Sequence, residues 1–283
     1  MSVAQEAIRR LKMQEPPALS KSSLGHFSVN KVNTYRKCPA QFKYKYIDAL
    51  PSKNNANFVL GSAADAAITV AIKQLRTIGD FDWELIHQSF TNYMLDDIGK
   101  SPELDSEDLE VITQGSAVLH DALDQYLFYM KNNFVEFLEP QIKISDWYVD
   151  RDCNYPLLGF IDMVAINHDG KYVVVDHKTK KDARVSHDYR FQILTYCLWV
   201  KEHFNLNYLP KAEIHILLKV GQKKDPSLYR IKEIFYTKEQ INSVRNDYYY
   251  LEEGIAKDYF PKNRWHDLCQ KKFCDFYDHC HSD

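Results

Sequence analysis

The sequence predicts a mixed α/β fold, a β-sheet flanked by helices, on three observations. Apolar residues recur at helical spacing through about residue 138, and from Ile142 the period shortens to that of strands. The order after that change is three β-rich segments, a helix and two more strands, which make a mixed sheet covered by helices. Asp169-Gly170 stands between two apolar runs, a strong hairpin signal.

The chain has 283 residues, 45% hydrophobic and 13% aromatic, enough for one sizeable core with a helical elaboration. One domain with an insertion fits better than two. No run of about eighteen apolar residues occurs. The opening MSVAQEAIRRLKMQEPP carries charges where a secretory signal needs an apolar stretch, so the expectation is a soluble, cytoplasmic protein, with phage origin in a bacterial host open. A formal charge of -3 excludes a strongly basic nucleic-acid binder. A local stripe of Lys178, Lys180, Lys181, Arg184 and Arg190 can still engage phosphates beside an acidic metal site, or can be an ordinary solvated segment.

Residues 1–27 read as a peripheral arm with a short helical pattern over Val3 to Met13, and the main domain as 28–283. Ser28 is a helix cap, and Cys38-Pro39 biases the chain away from continuing that helix. An aromatic-rich helical segment follows over Phe42 to Tyr46. Gly61-Ser62-Ala63-Ala64-Asp65 opens a small-residue helix reaching about Arg76, with Asp65 in its first turn or two. Residues of about 80–138 read as a helical insertion without chemistry: Trp83 to Leu95, then a run from Ser106 through Leu119, Leu127 and Met130. The strands are Ile142 to Val149, Leu157 to Ile166 and Tyr172 to Val175. A helix over Asp188 to His203, strands Ala212 to Val220 and Tyr229 to Phe235, and a helix from Lys238 to about Lys257 lead to a Cys-rich tail over 265–283.

Chemistry concentrates in LLGFIDMVAINHDGKYVVVDHKTK. A tight hairpin can set Asp162 beside Asp176, and Lys178, two residues on, points to the same face of an extended strand. Burying unpaired carboxylates costs several kcal/mol, whereas a divalent cation between them supplies the compensating charge. Oxygen ligands suit Mg²⁺ or Mn²⁺. An ammonium there can hold or help deprotonate an attacking water, which together with the metal makes a phosphodiester-hydrolysing site. Asp162 alone reads as a strand-end aspartate with a backbone partner. The ordered set Gly159, Asp162, Asp176 and Lys178 is harder to obtain by chance.

GFIDMV, then VVVDHKT, then Gln192-Ile193-Leu194-Thr195-Tyr196 resembles the RecB-family branch of the PD-(D/E)XK nucleases, whose motifs run G-x-x-D, (D/E)-x-K, Q-x-x-x-Y. SVNKVNTYRKCPAQFKYKYI resembles the same family's N-terminal helix motif. The resemblance implies a restriction-endonuclease-like core with Asp162 and Asp176 as metal ligands, the His177 backbone carbonyl as a further ligand and Lys178 as the catalytic lysine. Gln192 and Tyr196, one helical turn apart, would contact substrate. The family usually has a histidine four residues after its first-helix glycine, and here Asp65 takes that place. Asp65 is then either a third carboxylate ligand or a helix-start aspartate bonded to local backbone.

Six cysteines occur, and three of them, Cys269, Cys274 and Cys280, crowd one end, which points to metal rather than disulfides in an intracellular chain. In a subset of the resembled family, the CRISPR-associated adaptation nucleases and AddB-like subunits, an early cysteine joins three C-terminal ones around a [4Fe-4S] cluster. Cys38 would be the early ligand. The first gap is wider than the family's usual spacing. Structural Zn²⁺ with His266, His279 or His281 is the alternative, and free cysteines the bland one. Cys153 and Cys197 read as packing residues.

The function expected is therefore a metal-dependent deoxyribonuclease, an exonuclease or end-processing enzyme of recombination, repair or phage replication acting on single strands or duplex ends. The competing reading is an inactive nuclease-fold module that binds DNA or a helicase partner. A small-phosphoester hydrolase lacks a phosphate-cradling glycine loop. The mix of Tyr35, Arg36, Phe42, Lys43, Tyr44, Lys45 and Tyr46 suits a stacked strand, with core packing as the commoner fate of such aromatics.

Overall fold

A computed structural model describes residues 24–52, 55–150, 153–221 and 225–282. The helix expected over Val3 to Met13, with most of the arm around it, lies outside the described residues. Two compact units result: Met1–Ser52 with Tyr148–Leu157 and Arg245–Asp283, and Lys53–Trp147 with Leu158–Val244.

In the first unit, helix α1 (Val29–Lys37) starts at Ser28, whose hydroxyl accepts the Lys31 N–H at 3.2 Å. It stops at Cys38, held extended by the following proline, and α2 (Pro39–Phe42) restarts with Pro39 in its first turn. A single wide π-turn, Lys43–Ile47, continues it. Phe42 is fully buried, stacked on Phe260 at 6.2 Å between centroids and edge-on to Tyr35 at 5.5 Å. This part of the aromatic run is core and not a stacking platform for bases.

The second unit holds the sheet. Helix α3 (Ala56–Thr77) opens at Asn55, whose side chain accepts the N–H groups of Asn57 and Phe58. It starts a turn and more before the predicted Gly61, so Asp65 lies in the helix interior and not at its start. Helices α4 (Trp83–Gly99) and α5 (Ser106–Asn133) are capped by Asp82 and Asp105. Residues of α3 and α5, among them Leu60, Ala64, Leu119, Leu123 and Tyr126, form one core with Met163, Ala165, Val173 and Val175 of the sheet. Close approach is strict at Gly115, where a Cβ would lie 2.6 Å from Leu60 Cδ1. By length and composition α3 could cross a membrane, but half of that stretch packs into this core.

The helix expected to reach residue 138 ends at Asn133, because β1 (Phe134–Phe137) pairs antiparallel with a later strand. Strands β2 (Ile142–Trp147) and β3 (Leu157–Ile161) form a separate two-stranded sheet. The run expected as one strand to Ile166 breaks at Asp162, and β4 (Met163–Asn167) resumes beyond it in the main sheet. Gly170, at φ +69°, turns the hairpin into β5 (Tyr172–Lys180), and Asn167 Oδ1 accepts the N–H groups of Asp169 and Lys171. Helix α6 (His187–His203) crosses to β6 (Lys211–Leu218), parallel to β5, and β7 (Tyr229–Ile234) closes the order β1-β4-β5-β6-β7. Pairing with β6 through Lys180↔Leu218 carries β5 past the predicted end at Val175. Helix α7 (Lys238–Ala256) follows, and α8 (Tyr277–His281) lies near the C-terminus.

Candidate active site

The break between β3 and β4 turns Asp162 out of the ladder. Its Oδ2 accepts the His177 backbone N–H at 2.8 Å, and its carbonyl accepts the Gln141 N–H at 3.1 Å. The register Met163↔Val175 puts Asp162 next to Asp176 on the neighbouring strand. Asp176 is fully buried, and Lys178 Nζ lies 2.6 Å from its Oδ2. Apart from that ion pair, neither Asp176 oxygen accepts a hydrogen bond among the described residues. A buried carboxylate with vacant lone pairs is costly unless a cation takes them.

Asp65 reaches the same place from α3. Four residues earlier, a Cβ at Gly61 would sit 3.5 Å from Thr179 Oγ1, which shows how closely the helix lies on β5. One oxygen each of Asp65 and Asp162 and a ring nitrogen of His177 lie within 4.8 Å of one another. Burial pushes the Asp65 carboxyl well up, and repulsion from Asp162 adds to it. Burial and then Asp176 raise Asp162, while burial outweighs the pull of Lys178 in raising Asp176. Burial would lower Lys178, but Asp176, Asp162 and Asp65 more than offset it and keep the ammonium charged. Three carboxylates against one ammonium leave the pocket short of positive charge, and hard oxygen donors fit Mg²⁺ or Mn²⁺.

Gln192 and Tyr196 stand one turn apart on α6, with Gln192 Nε2 donating to the Tyr196 hydroxyl at 3.3 Å. Burial holds that hydroxyl protonated. Gly159 gives the ring its space, since a Cβ there would lie 3.4 Å from Tyr196 Cε1. The basic stripe is divided: Lys178 belongs to the acidic cluster, Lys178 and Lys180 sit 5.0 and 5.1 Å over the Tyr189 ring, and Arg184 pairs with Asp182 at 2.6 Å.

In the first unit, Cys38, Cys269, Cys274 and Cys280 line one pocket together with His266 and His281. Burial raises the Cys274 thiol, and the other three cysteines add to the rise. Cys153 and Cys197 are buried away from this pocket.

Several site residues had no sequence signal. The sequence reading used only the backbone carbonyl of His177, yet its imidazole turns toward the carboxylates, with Nδ1 3.9 Å from Asp162 Oδ2. Behind it stand Tyr126, from the helical stretch read as free of chemistry, and His215 of β6. Nothing local marks either residue. An isolated buried tyrosine on a helix reads as core.

The sheet order and the Asp162, Asp176 and Lys178 arrangement define a restriction-endonuclease-like nuclease core. The model of the PD-(D/E)XK nuclease superfamily matches residues 26–281, and the chain belongs to that superfamily. Among solved structures, a protein of Eubacterium rectale described as a "putative exonuclease" matches at 12% identity and a TM-score of 0.50, covering 91% of this chain and 92% of that one. The protein SSO0001 matches at 18% identity and a TM-score of 0.43, covering 99% and 97%. At 12% identity the likeness to the Eubacterium rectale protein is one of fold. No curated protein matches the chain significantly.

Proposed function

We propose that this protein is a divalent-metal-dependent DNA nuclease acting from strand ends, in recombination, repair or phage replication within the cytoplasm. The observation that carries the reading is the buried Asp176 carboxylate beside Asp162, ion-paired with Lys178 and otherwise without a hydrogen bond among the described residues. The preference for ends rests on the name of the Eubacterium rectale neighbour alone.

Asp65, Asp162 and Asp176 would hold Mg²⁺ or Mn²⁺, joined by the His177 backbone carbonyl. When bound, the metal supplies a Lewis acid and lowers the pKa of a coordinated water. Lys178, kept protonated by three carboxylates, is placed to orient water and to offset charge on the phosphoryl oxygens as it develops. Gln192 and Tyr196 would position the substrate backbone with neutral hydrogen bonds, which fix register without reading sequence. The 28–283 domain assignment follows the same reading.

The pocket of Cys38, Cys269, Cys274 and Cys280 would hold a [4Fe-4S] cluster, with Zn²⁺ as the alternative. Tetrahedral zinc with Zn–S of about 2.3 Å needs sulfurs about 3.8 Å apart. The four cysteines line one pocket, which is the feature that supports a shared metal group there. A cluster there would be structural, since none of its ligands belongs to the carboxylate site.

The second reading, a module that binds DNA or a helicase partner without cutting, is favoured by one feature, Asp65 where the family usually has histidine. Both readings meet in one assay. Anaerobically purified protein is incubated with end-labelled single- and double-stranded DNA and Mg²⁺ or Mn²⁺, beside Lys178→Ala. Cleavage that requires metal and is lost in the variant is expected. A folded, metal-loaded protein that binds DNA and leaves it intact establishes the module instead.

A further inference from the structure

A hydrogen-bonded chain runs behind the carboxylate site, from Lys211 at the start of β6 to His177. Lys211 Nζ lies 2.8 Å from Glu213 Oε1, and Glu213 Oε2 lies 2.7 Å from His215 Nε2. His215 Nδ1 is 2.6 Å from the Tyr126 hydroxyl, which is 2.8 Å from His177 Nε2. His215, Tyr126 and His177 are all buried, so each proton in the chain must have a defined place.

The protons can be assigned from one end. Glu213, paired with Lys211, is a carboxylate and only accepts, so His215 Nε2 carries the proton and donates. His215 Nδ1 is then the acceptor and takes the Tyr126 hydroxyl proton. The Tyr126 oxygen, its own proton spent, accepts from His177 Nε2–H. The neutral His177 ring is thereby left with its lone pair on Nδ1. That nitrogen makes no hydrogen bond among the described residues, and it faces Asp162 Oδ2 at 3.9 Å, inside the cluster with Asp65. A spacing of 3.9 Å is too long for a hydrogen bond, and an ion bound between the two groups would draw them to the roughly 3.0 Å of neighbouring octahedral ligands at about 2.1 Å each.

We propose that the His177 imidazole binds the catalytic metal through Nδ1, and that Glu213, His215 and Tyr126 are positioning residues that fix its tautomer and ring orientation. The inference rests on the nuclease reading above. The imidazole would then come from the strand and the Asp65 carboxylate from the helix. One nitrogen among oxygens favours Mn²⁺ over Mg²⁺, because imidazole suits transition metals better than it suits Mg²⁺. Outer partners of this kind are worth about 10- to 100-fold in metal affinity when removed.

The test is pulsed electron paramagnetic resonance of the Mn²⁺-loaded full chain, with Mn²⁺ and Mg²⁺ affinities from calorimetry and a thermal melt to confirm folding. Wild type is expected to show the ¹⁴N modulation of a coordinated imidazole, and His177→Gln to bind Mn²⁺ without it. Tyr126→Phe, which keeps the ring and removes only the hydroxyl, is expected to weaken Mn²⁺ binding about 10-fold or more while Mg²⁺ binding changes less. Mn²⁺ bound to wild type without nitrogen coupling, or coupling that persists in His177→Gln, overturns this inference and leaves the carboxylate site standing. Folded wild type that binds no Mn²⁺ overturns the inference together with the nuclease reading.

Discussion

Replacing Asp176 with asparagine keeps the size of the side chain and removes its charge, and the structure sets opposite signs for the effect with and without metal. Burial is the dominant influence on this carboxyl and exceeds the attraction of Lys178, so its pKa is raised. A raised acid is protonated more readily in the folded state than in the unfolded one, so at neutral pH its ionised form costs stability. Leaving a buried polar group unsatisfied costs roughly 1–3 kcal/mol, and more if it is charged. Asp162 and Asp65 still compensate the Lys178 ammonium, so losing this one pair gives back only part of that, for a net gain of about 1–2 kcal/mol in chelator. At roughly 2–4 °C per kcal/mol for a chain of this size, Asp176→Asn is expected to melt about 2–8 °C above wild type. Metal at one hundred times its Kd stabilises by about 2.7 kcal/mol, roughly 5–10 °C, and only wild type should gain it in full. Scanning calorimetry in chelator and in Mn²⁺ should therefore show the order of the two proteins reverse. The gap in chelator should also close as pH falls below about 4, where the carboxyl becomes protonated in the unfolded as well as the folded state. A variant less stable than wild type in chelator, or one that gains as much from Mn²⁺, refutes the reasoning.

Lys178→Ala should lower the rate of DNA cleavage by about 10²- to 10⁴-fold and leave metal affinity within a few-fold, as kinetics and calorimetry on the same sample would report. Gly115→Ala must push Leu60 aside, and urea unfolding should show a loss of about 1–3 kcal/mol with the site chemistry intact. Cys274→Ser should remove the visible charge-transfer absorbance and most of the iron from anaerobically prepared protein without abolishing metal binding at the carboxylates. Colourless wild type holding one zinc per chain would replace the cluster with the alternative.

Local order in the chain made much of this protein legible. The spacing of Asp176 and Lys178 on an extended strand, the Asp169-Gly170 turn and the Ser28 helix cap are set by neighbours within a few residues, where period and turn chemistry act directly. Boundaries that depend on partners were not legible. The strand at Phe134–Phe137 exists because β4 is there to pair with it, and β5 runs to Lys180 because β6 holds it. The early start of α3, which moves Asp65 from a helix end into the helix interior, came from an Asn55 cap that the small-residue pattern masked.

The sequence by itself determined the mixed α/β class and the order of the acidic motif along the strands, since these follow from backbone period and from the cost of burying charge. Only the tertiary structure decided which way each group points. Asp162 leaves the ladder where its carboxylate takes the His177 N–H, and Asp176 is buried with Lys178 as its ion-pair partner. His177 aims Nδ1 at the site because Tyr126, 51 residues away in sequence, and His215, 89 residues from Tyr126, complete its hydrogen bonds. The sequence pattern records spacing along the chain, whereas the direction of a buried hydrogen bond is fixed by whichever distant donor and acceptor the fold brings to meet it.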